Sequence, residues 1–150
     1  MPEAEGVQTQ VQQIKSSTGR PERQLVTTGT KYEFQFGYSR AVRKGNVVRV
    51  SGTAGLDENG QVVADDVGSQ LRRAIEIMTK ALEELGATLE DVVMTRLYMA
   101  DIHDSDTVAV IHGETFRDIR PATTLVKTEF VDAKILIEIE AEAVTGPSHA

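Results

Sequence analysis

The sequence contains no cysteine, no long run of apolar residues and no cluster of basic residues. Without cysteine the chain cannot form a disulfide, a zinc–cysteine cluster, an iron–sulfur site or a cysteine nucleophile. Its 150 residues are enough to bury one hydrophobic core without metals or covalent crosslinks. We therefore expect a single globular domain that is stabilised by packing alone.

Basic residues are outnumbered, with 16 Lys and Arg against 23 Asp and Glu and a formal charge of -7. A nucleic-acid or membrane-surface binder would show a basic stripe, so neither kind of partner is expected. No apolar segment reaches the length of a membrane span. The acidic start, Met1 to Glu5, lacks the features of a secretory signal, which predicts a cytoplasmic location. Small metabolites remain as ligands.

The chain divides into three parts by composition. Residues 1–30 are polar and contain a Ser16-Ser17-Thr18-Gly19 patch, which predicts a flexible leader with an edge strand near residues 25–28. Residues 31–145 carry the periodic apolar patterns of a folded domain, and residues 146–150 are expected to form a frayed tail.

Several segments have the patterns of strands. Tyr32, Phe34 and Phe36 alternate with polar residues, which predicts a half-buried strand that ends at Gly37. Residues 40–43 and 47–51 flank a short glycine-containing connection and predict a hairpin. Further strands are predicted over residues 93–99, 123–128 and 135–144.

Two segments have the pattern of amphipathic helices. The first lies between Asp65 or Asp66, which are good N-caps, and Gly86, which favours a helix end. The second runs from Ser105 to about Phe116, before Pro121. The order of elements predicts an α+β fold, a mixed β-sheet with two helices packed on one face.

The final strand places Glu138, Glu140 and Glu142 on one side, with carboxylates roughly 7 Å apart along the strand. One interpretation is a solvated sheet face. The other is that at least one carboxylate lines a cleft and positions water, with its pKa tuned by burial or a neighbouring charge. The periodicity does not choose between these interpretations.

Polar residues also cluster around the second helix. Arg120, Thr123 and Thr124 lie at the entry to the following strand, where Arg120 either binds a carboxylate or satisfies carbonyls at the helix end. His112 and Glu114 form the H-x-E pattern of zinc deaminases, but the required cysteine partners are absent. Surface residence is therefore favoured for both, although one of them could face a cleft. No metal site or nucleotide-binding fingerprint is predicted.

Six segments, taken in order, resemble the Rid family, also called YjgF-like reactive intermediate deaminases. They extend over most of the predicted domain, from residue 36 to 144: Gly37-Tyr38-Ser39-Arg40-Ala41-Val42, Val50-Ser51-Gly52-Thr53, the helix around Leu71, residues 85–93, Arg120-Pro121-Ala122-Thr123-Thr124 and Ile137-Glu138-Ile139-Glu140-Ala141. Several motifs in the correct order are more specific than any one alone.

The resemblance implies a chorismate-mutase-like fold and a homotrimer, with helices outside a central barrel of sheets and three clefts between subunits. Enzymes of the family hydrolyse enamines and imines to 2-keto acids and ammonia without a cofactor. The resemblance further implies that Glu138 positions the water that attacks the substrate, and that Tyr38, Ser51 and Gly52 line the cleft.

The chain departs from the family at the residue that holds the substrate carboxylate, an Arg that is replaced here by Thr123. A Thr hydroxyl offers one neutral donor where Arg offers a charged fork, so carboxylate binding should weaken. Arg120 and Arg40 are the candidate replacement cations. We therefore predict a Rid-like hydrolase or deaminase of an Arg-lacking branch, which acts on reactive enamines or imines other than standard 2-imino acids.

Other functions remain open from the sequence. A non-catalytic, small-molecule-binding or regulatory trimer could use the same cleft. A holdase chaperone has precedent in the family but no specific feature in this chain. A ribonuclease is disfavoured by the acidic charge.

Overall fold

The computed structural model describes residues 10–15 and 21–146 of the chain. In these residues it has seven strands and three α-helices, together with two short 3-10 turns. The strands are β1 (Gln10–Lys15), β2 (Pro21–Thr27), β3 (Ala41–Lys44), β4 (Val47–Ala54), β5 (Val92–Met99), β6 (Ala122–Lys127) and β7 (Ile137–Val144). The helices are α1 (Lys31–Phe36), α2 (Val67–Glu84) and α3 (Ser105–Phe116).

The strands form one mixed sheet in the order β1-β2-β3-β4-β7-β5-β6. Neighbouring strands are antiparallel except β5 and β6, which are parallel because α3 carries the chain across between them. Helix α2 packs on β4 and β7 and also contacts α3. The α+β fold with a mixed sheet and two main helices is confirmed. Among the described helices, none has the length and apolarity to span a membrane.

Both main helices lie where the sequence predicts them. Asp66 caps α2, because its carboxylate accepts a hydrogen bond of 2.7 Å from the Ser69 backbone N–H. The apolar stripe of α2 is buried in the core: Val67, Leu71, Ala74, Ile75, Met78 and Leu82. Helix α3 runs from Ser105 to Phe116, as predicted. The predicted hairpin is β3 paired with β4, and the two closing strands are β6 and β7.

The strand predicted over Tyr32, Phe34 and Phe36 is wrong, because this segment is helix α1 and its three aromatic side chains are exposed. Local hydrogen bonds override the alternating pattern. The Thr30 hydroxyl accepts from the Glu33 backbone N–H at 3.3 Å, and the buried Glu33 carboxylate accepts from Thr28 and from the Thr30 hydroxyl. This Thr-x-x-Glu capping pattern was the signal in the sequence that the strand interpretation overlooked.

The leader predicted over residues 1–30 contains two strands of the sheet. Strand β2 pairs with β3 through Gln24, Leu25 and Val26, and β1 pairs with β2 at the edge. The predicted edge strand near residues 25–28 therefore coincides with the end of β2, although it is covered by β1. Residues 1–9, 16–20 and 147–150, which include most of the predicted tail, lie outside the described residues.

Gln70 of α2 connects the helix to the chain that enters β7. Its fully buried amide donates to the carbonyls of Ala64 and Lys134 at 2.8 and 3.0 Å and accepts from the Leu136 backbone N–H at 2.8 Å. Gly55, which follows β4, lies against the Gln70 backbone, because a Cβ on Gly55 would lie 2.2 Å from the Gln70 carbonyl oxygen. The end of β4 is thereby held directly against α2, beside the cavity described below.

Candidate active site

A β-bulge in β4 shapes the candidate site. Val50 pairs with Ala141 and Thr53 with Ile139, so β4 has one extra residue, at Ser51 and Gly52, opposite Glu140. Hydrogen bonds hold the bulge to the two residues before β3: the Ser51 hydroxyl donates to the Ser39 carbonyl at 2.7 Å and its backbone N–H to the Arg40 carbonyl at 2.9 Å. Bulges bend a strand and redirect its side chains, and they are frequent beside active sites.

Arg40 crosses from the start of β3 to the bulge. Its Nη1 donates to the Gly52 carbonyl at 2.7 Å and to the Thr53 hydroxyl at 3.1 Å. In the described part of the chain, its Nε and Nη2 make no hydrogen bond that would occupy their remaining N–H groups. The guanidinium is therefore held by one edge, and the other edge is available to a ligand.

Glu138 of β7 lies directly against the bulge. A Cβ on Gly52 would lie 2.8 Å from Glu138 Oε1, so the absence of a side chain at residue 52 makes room for the carboxylate. Within the described residues this carboxylate has no hydrogen bond or ion pair. Burial raises the pKa of Glu138 above its ordinary value, Arg40 acts in the opposite direction, and Glu140 adds to the rise.

The other two glutamates of β7 are paired. Glu140 accepts hydrogen bonds from the Tyr98 hydroxyl at 2.6 Å and from Arg96 Nη1 at 3.2 Å. Glu142 forms an ion pair of 2.8 Å with Arg49. The three carboxylates, which are equivalent in the sequence pattern, thus have different surroundings. In the part of the chain that the structure describes, the one nearest the start of the strand, Glu138, has no partner.

A cavity of about 730 Å³ brings together five of the predicted site residues. They are Tyr38, Arg40, Ser51, Gly52 and Glu138. The cavity also contains residues that the sequence analysis missed, from the approach to α1, the turn after β4 and the exposed side of α2, among them Thr28, Thr30, Thr53, Asp57, Arg73, Glu76 and Lys80. The polar face of an amphipathic helix is ordinarily solvated, and periodicity does not show that part of this face lines a cavity.

The remaining predicted site residues lie elsewhere. Thr123 of β6 is on the face of the sheet that carries α3, since its hydroxyl is 2.8 Å from that of Thr95, which is 2.9 Å from His112 Nε2. Glu138 is on the opposite face, with the Glu140 carboxylate that Arg96 binds. Within one chain, therefore, the two parts of the predicted site do not meet.

Arg120, Thr124 and Glu114 complete the predicted set. Arg120 is exposed and has a positive φ of 56°. Its backbone N–H closes the end of α3 by donating to the Phe116 carbonyl at 2.8 Å. Thr124 is exposed on β6. Glu114 is exposed on α3 and forms a 3.2 Å ion pair with Arg72 of α2, so the structure does not bring it to the cavity.

The chemistry available in the cavity is that of a carboxylate with a raised pKa, a guanidinium with free donors and several hydroxyl groups. Such a carboxylate can orient a water molecule, accept its proton and return that proton to a leaving group. Among the described residues no group of three or more His, Asp or Glu side chains is arranged to bind a metal ion.

The chain is similar in sequence to a known family and to two characterised enzymes. The sequence model of a family described as Endoribonuclease L-PSP matches residues 30–145. The chain is 34% identical to the 3-aminoacrylate deaminase RutC of Acinetobacter baylyi, over 71% of this chain and 85% of that protein. It is 33% identical to the human 2-iminobutanoate/2-iminopropanoate deaminase, over 73% of this chain and 81% of that protein.

A solved structure is also similar. The crystal structure of a Mycobacterium tuberculosis member of the YjgF/YER057c/UK114 family superposes with a TM-score of 0.75 at 40% identity. The match covers 82% of this chain and 99% of that one.

Proposed function

The chain belongs to the Rid/YjgF family, and from this premise we propose that it hydrolyses enamine, imine or related reactive metabolites at clefts between subunits. Similarity to two deaminases supports a deaminase-like function in general. The specific proposal is that standard 2-imino acids are poor substrates, because Thr123 replaces the carboxylate-binding Arg of the family.

The observation that carries the proposal is the half-buried carboxylate of Glu138 beside the Gly52 bulge, which has no hydrogen-bond or ion-pair partner among the described residues. In the proposed reaction Glu138 orients a water molecule and accepts its proton while the water oxygen bonds to the imine carbon. The C=N π electrons move to the nitrogen, which takes this proton from Glu138 and gives a carbinolamine. Glu138 then accepts the carbinolamine hydroxyl proton and returns it to the amine, the C–N bond breaks as the C=O bond forms, and a carbonyl product and ammonia leave. The raised pKa of Glu138 suits a group that both accepts and returns a proton.

Arg40 supplies a cation to this site, although in a different place from residue 123. Because the Gly52 carbonyl and the Thr53 hydroxyl hold its Nη1, its position relative to Glu138 is set by the bulge. A substrate whose negative or polar group lies where Arg40 can reach it would be oriented for attack. Arg120 is a second candidate, since an Arg in left-handed backbone geometry is unusual and such geometry is often retained for function.

Assembly as a homotrimer would unite the two parts of the site. Glu138, Tyr38 and Arg40 line a cavity on one chain, whereas Thr123 and Arg120 lie at the β6 end of the sheet. A single site that uses both sets requires a second copy of the chain. We propose that β6 of one copy closes the cavity of the next, which a measured monomer at micromolar concentration would contradict.

The test is ammonia release from freshly generated 2-aminoacrylate and from its neutral methyl ester. Wild type should act on the ester and poorly on the acid, whereas Thr123→Arg should restore activity on the acid. Glu138→Gln should abolish both activities. Glu142→Gln is the matched control on the same strand face and should stay within about twofold of wild type, since Glu142 does not line the cavity and its partner Arg49 is exposed.

Two results would change the proposal. Hydrolysis of 2-aminoacrylate by wild type at the rate of the human deaminase would show that residue 123 does not limit the substrate. No turnover by any variant, together with saturable thermal stabilisation by small ligands, would favour a non-catalytic binding or regulatory protein in the same cleft.

A further inference from the structure

Thr123 is part of a hydrogen-bonded chain that runs from α3 to the β6 edge. His112 Nε2 lies 2.9 Å from the Thr95 hydroxyl, which lies 2.8 Å from the Thr123 hydroxyl. The Thr123 hydroxyl in turn lies 3.1 Å from the Pro121 carbonyl oxygen. Thr95 is fully buried, His112 is half-buried and Thr123 is exposed. This series of hydrogen bonds therefore links the buried Thr95 to a hydroxyl at the surface, that of Thr123.

Counting protons shows how this hydroxyl is used. The Pro121 carbonyl can only accept, so all three bonds form together when Thr123 donates to it. Thr95 then donates to Thr123, and His112 must carry a proton on Nε2 and donate to Thr95. If His112 instead accepts from Thr95, Thr123 donates to Thr95 and the Pro121 contact is no longer a hydrogen bond. In both arrangements the single proton of Thr123 is donated to another group of the same chain, either the Pro121 carbonyl or the Thr95 hydroxyl.

What Thr123 presents outward is therefore a lone pair. A ligand that accepts a hydrogen bond from Thr123 must take the proton from the Pro121 carbonyl or the Thr95 hydroxyl, so one bond merely replaces another. A ligand that donates to Thr123 adds a bond without breaking one. The sequence alone suggested a neutral donor at residue 123, and the structure gives the hydroxyl the opposite polarity.

We propose that Thr123 is a hydrogen-bond acceptor for its ligand, so the group bound there is an N–H or O–H donor such as a primary amide. This rests on the proposed function for the placement of Thr123 at the substrate site, and it names the substrate class of that site. Thr95 and His112 are positioning residues, because they act on the ligand only through the orientation of the Thr123 hydroxyl.

The test compares three forms of one substrate: 2-aminoacrylate, its methyl ester and its primary amide. The ester and the amide are both neutral and both have a carbonyl acceptor, but only the amide has N–H donors in the group that replaces the carboxylate, since the amino or imino N–H is common to all three. With wild type, kcat/KM for the amide should exceed that for the ester by about three- to tenfold. This ratio corresponds to the net free energy of one neutral hydrogen bond. Thr123→Val should bring the ratio to about one, and Thr123→Ser should restore it.

Binding of the stable ketones pyruvamide, methyl pyruvate and pyruvate, followed by ligand NMR line broadening, separates this inference from the proposed function. If pyruvamide binds best but no imine is hydrolysed, the proposal that Thr123 accepts a hydrogen bond from its ligand is upheld and the hydrolase proposal fails. If imines are hydrolysed but the amide has no advantage over the ester, or Thr123→Val keeps the advantage, the acceptor is refuted. Stronger binding of pyruvate than of pyruvamide also refutes it.

Discussion

Replacement of Gly52 by Ala tests whether the place of the Glu138 carboxylate controls activity. The added Cβ would lie 2.8 Å from Oε1, and ordinary contact begins at 3.4 Å, so the carboxylate must move by about 0.6 Å. The atom that must yield is the far end of a flexible side chain, and Gly52 does not have a positive φ. The strain should therefore be small, while the position of the proposed water-binding group changes.

We expect Gly52→Ala to lower kcat/KM for ammonia release about 10- to 100-fold, because a misplacement of about 1 Å at a reacting group can cost about 100-fold. Its free energy of unfolding in urea should stay within about 1 kcal/mol of wild type, since Ala for Gly also reduces the entropy of the unfolded chain. The loss of activity should thus occur without a loss of stability.

Gly55→Ala is the matched control, three residues further along the same segment. Its Cβ would lie 2.2 Å from the Gln70 carbonyl oxygen and 2.7 Å from the Gln70 Cα, so backbone rather than a side chain must move. Overpacking of this kind should cost about 2 to 3 kcal/mol or more in the free energy of unfolding. If Gly52→Ala retains full activity, or if it destabilises the protein as much as Gly55→Ala does, the reasoning about Glu138 is refuted.

Two further predictions concern buried polar groups. Because burial raises the pKa of Glu138, the folded state binds its proton more tightly than the unfolded state, and stability falls as the pH rises from the unfolded towards the folded pKa. Glu138→Gln should therefore raise the midpoint of urea unfolding at pH 7 and have little effect below about pH 4, and an equal effect at both would contradict the assigned shift. Gln70→Leu should lower the free energy of unfolding by at least about 2 kcal/mol in the same assay, since it leaves one N–H and two carbonyls without partners; a near-neutral result would mean that water replaces the amide.

Elements with strong local signals could be predicted from the sequence. Helix α2 has an aspartate cap, a regular apolar stripe and a terminal glycine, and α3 ends before Pro121, so their bounds follow from short-range rules. Helix α1 was missed because three aromatic residues alternate with polar residues, which is the pattern of a half-buried strand. Only the hydrogen bonds that converge on the Glu33 carboxylate show that the local capping pattern prevails.

The candidate site, too, could be predicted only in part from the sequence. The order of motifs along the chain identified the family and the residue types, including Glu138 and the Thr at 123. Which glutamate is unpaired depends on Arg49, Arg96 and Tyr98, which reach β7 from strands distant in sequence.

The sequence by itself therefore determined the two main helices, the strands that follow residue 40, the family and a first set of candidate residues, because these depend on neighbouring residues and on motif order. The tertiary structure decided where those residues lie relative to one another. The bulge that places Glu138, the cavity wall supplied by α2 and the polarity of the Thr123 hydroxyl all arise from contacts between segments far apart in the chain. No periodicity along the sequence records such contacts, since they depend on how the sheet and helices pack.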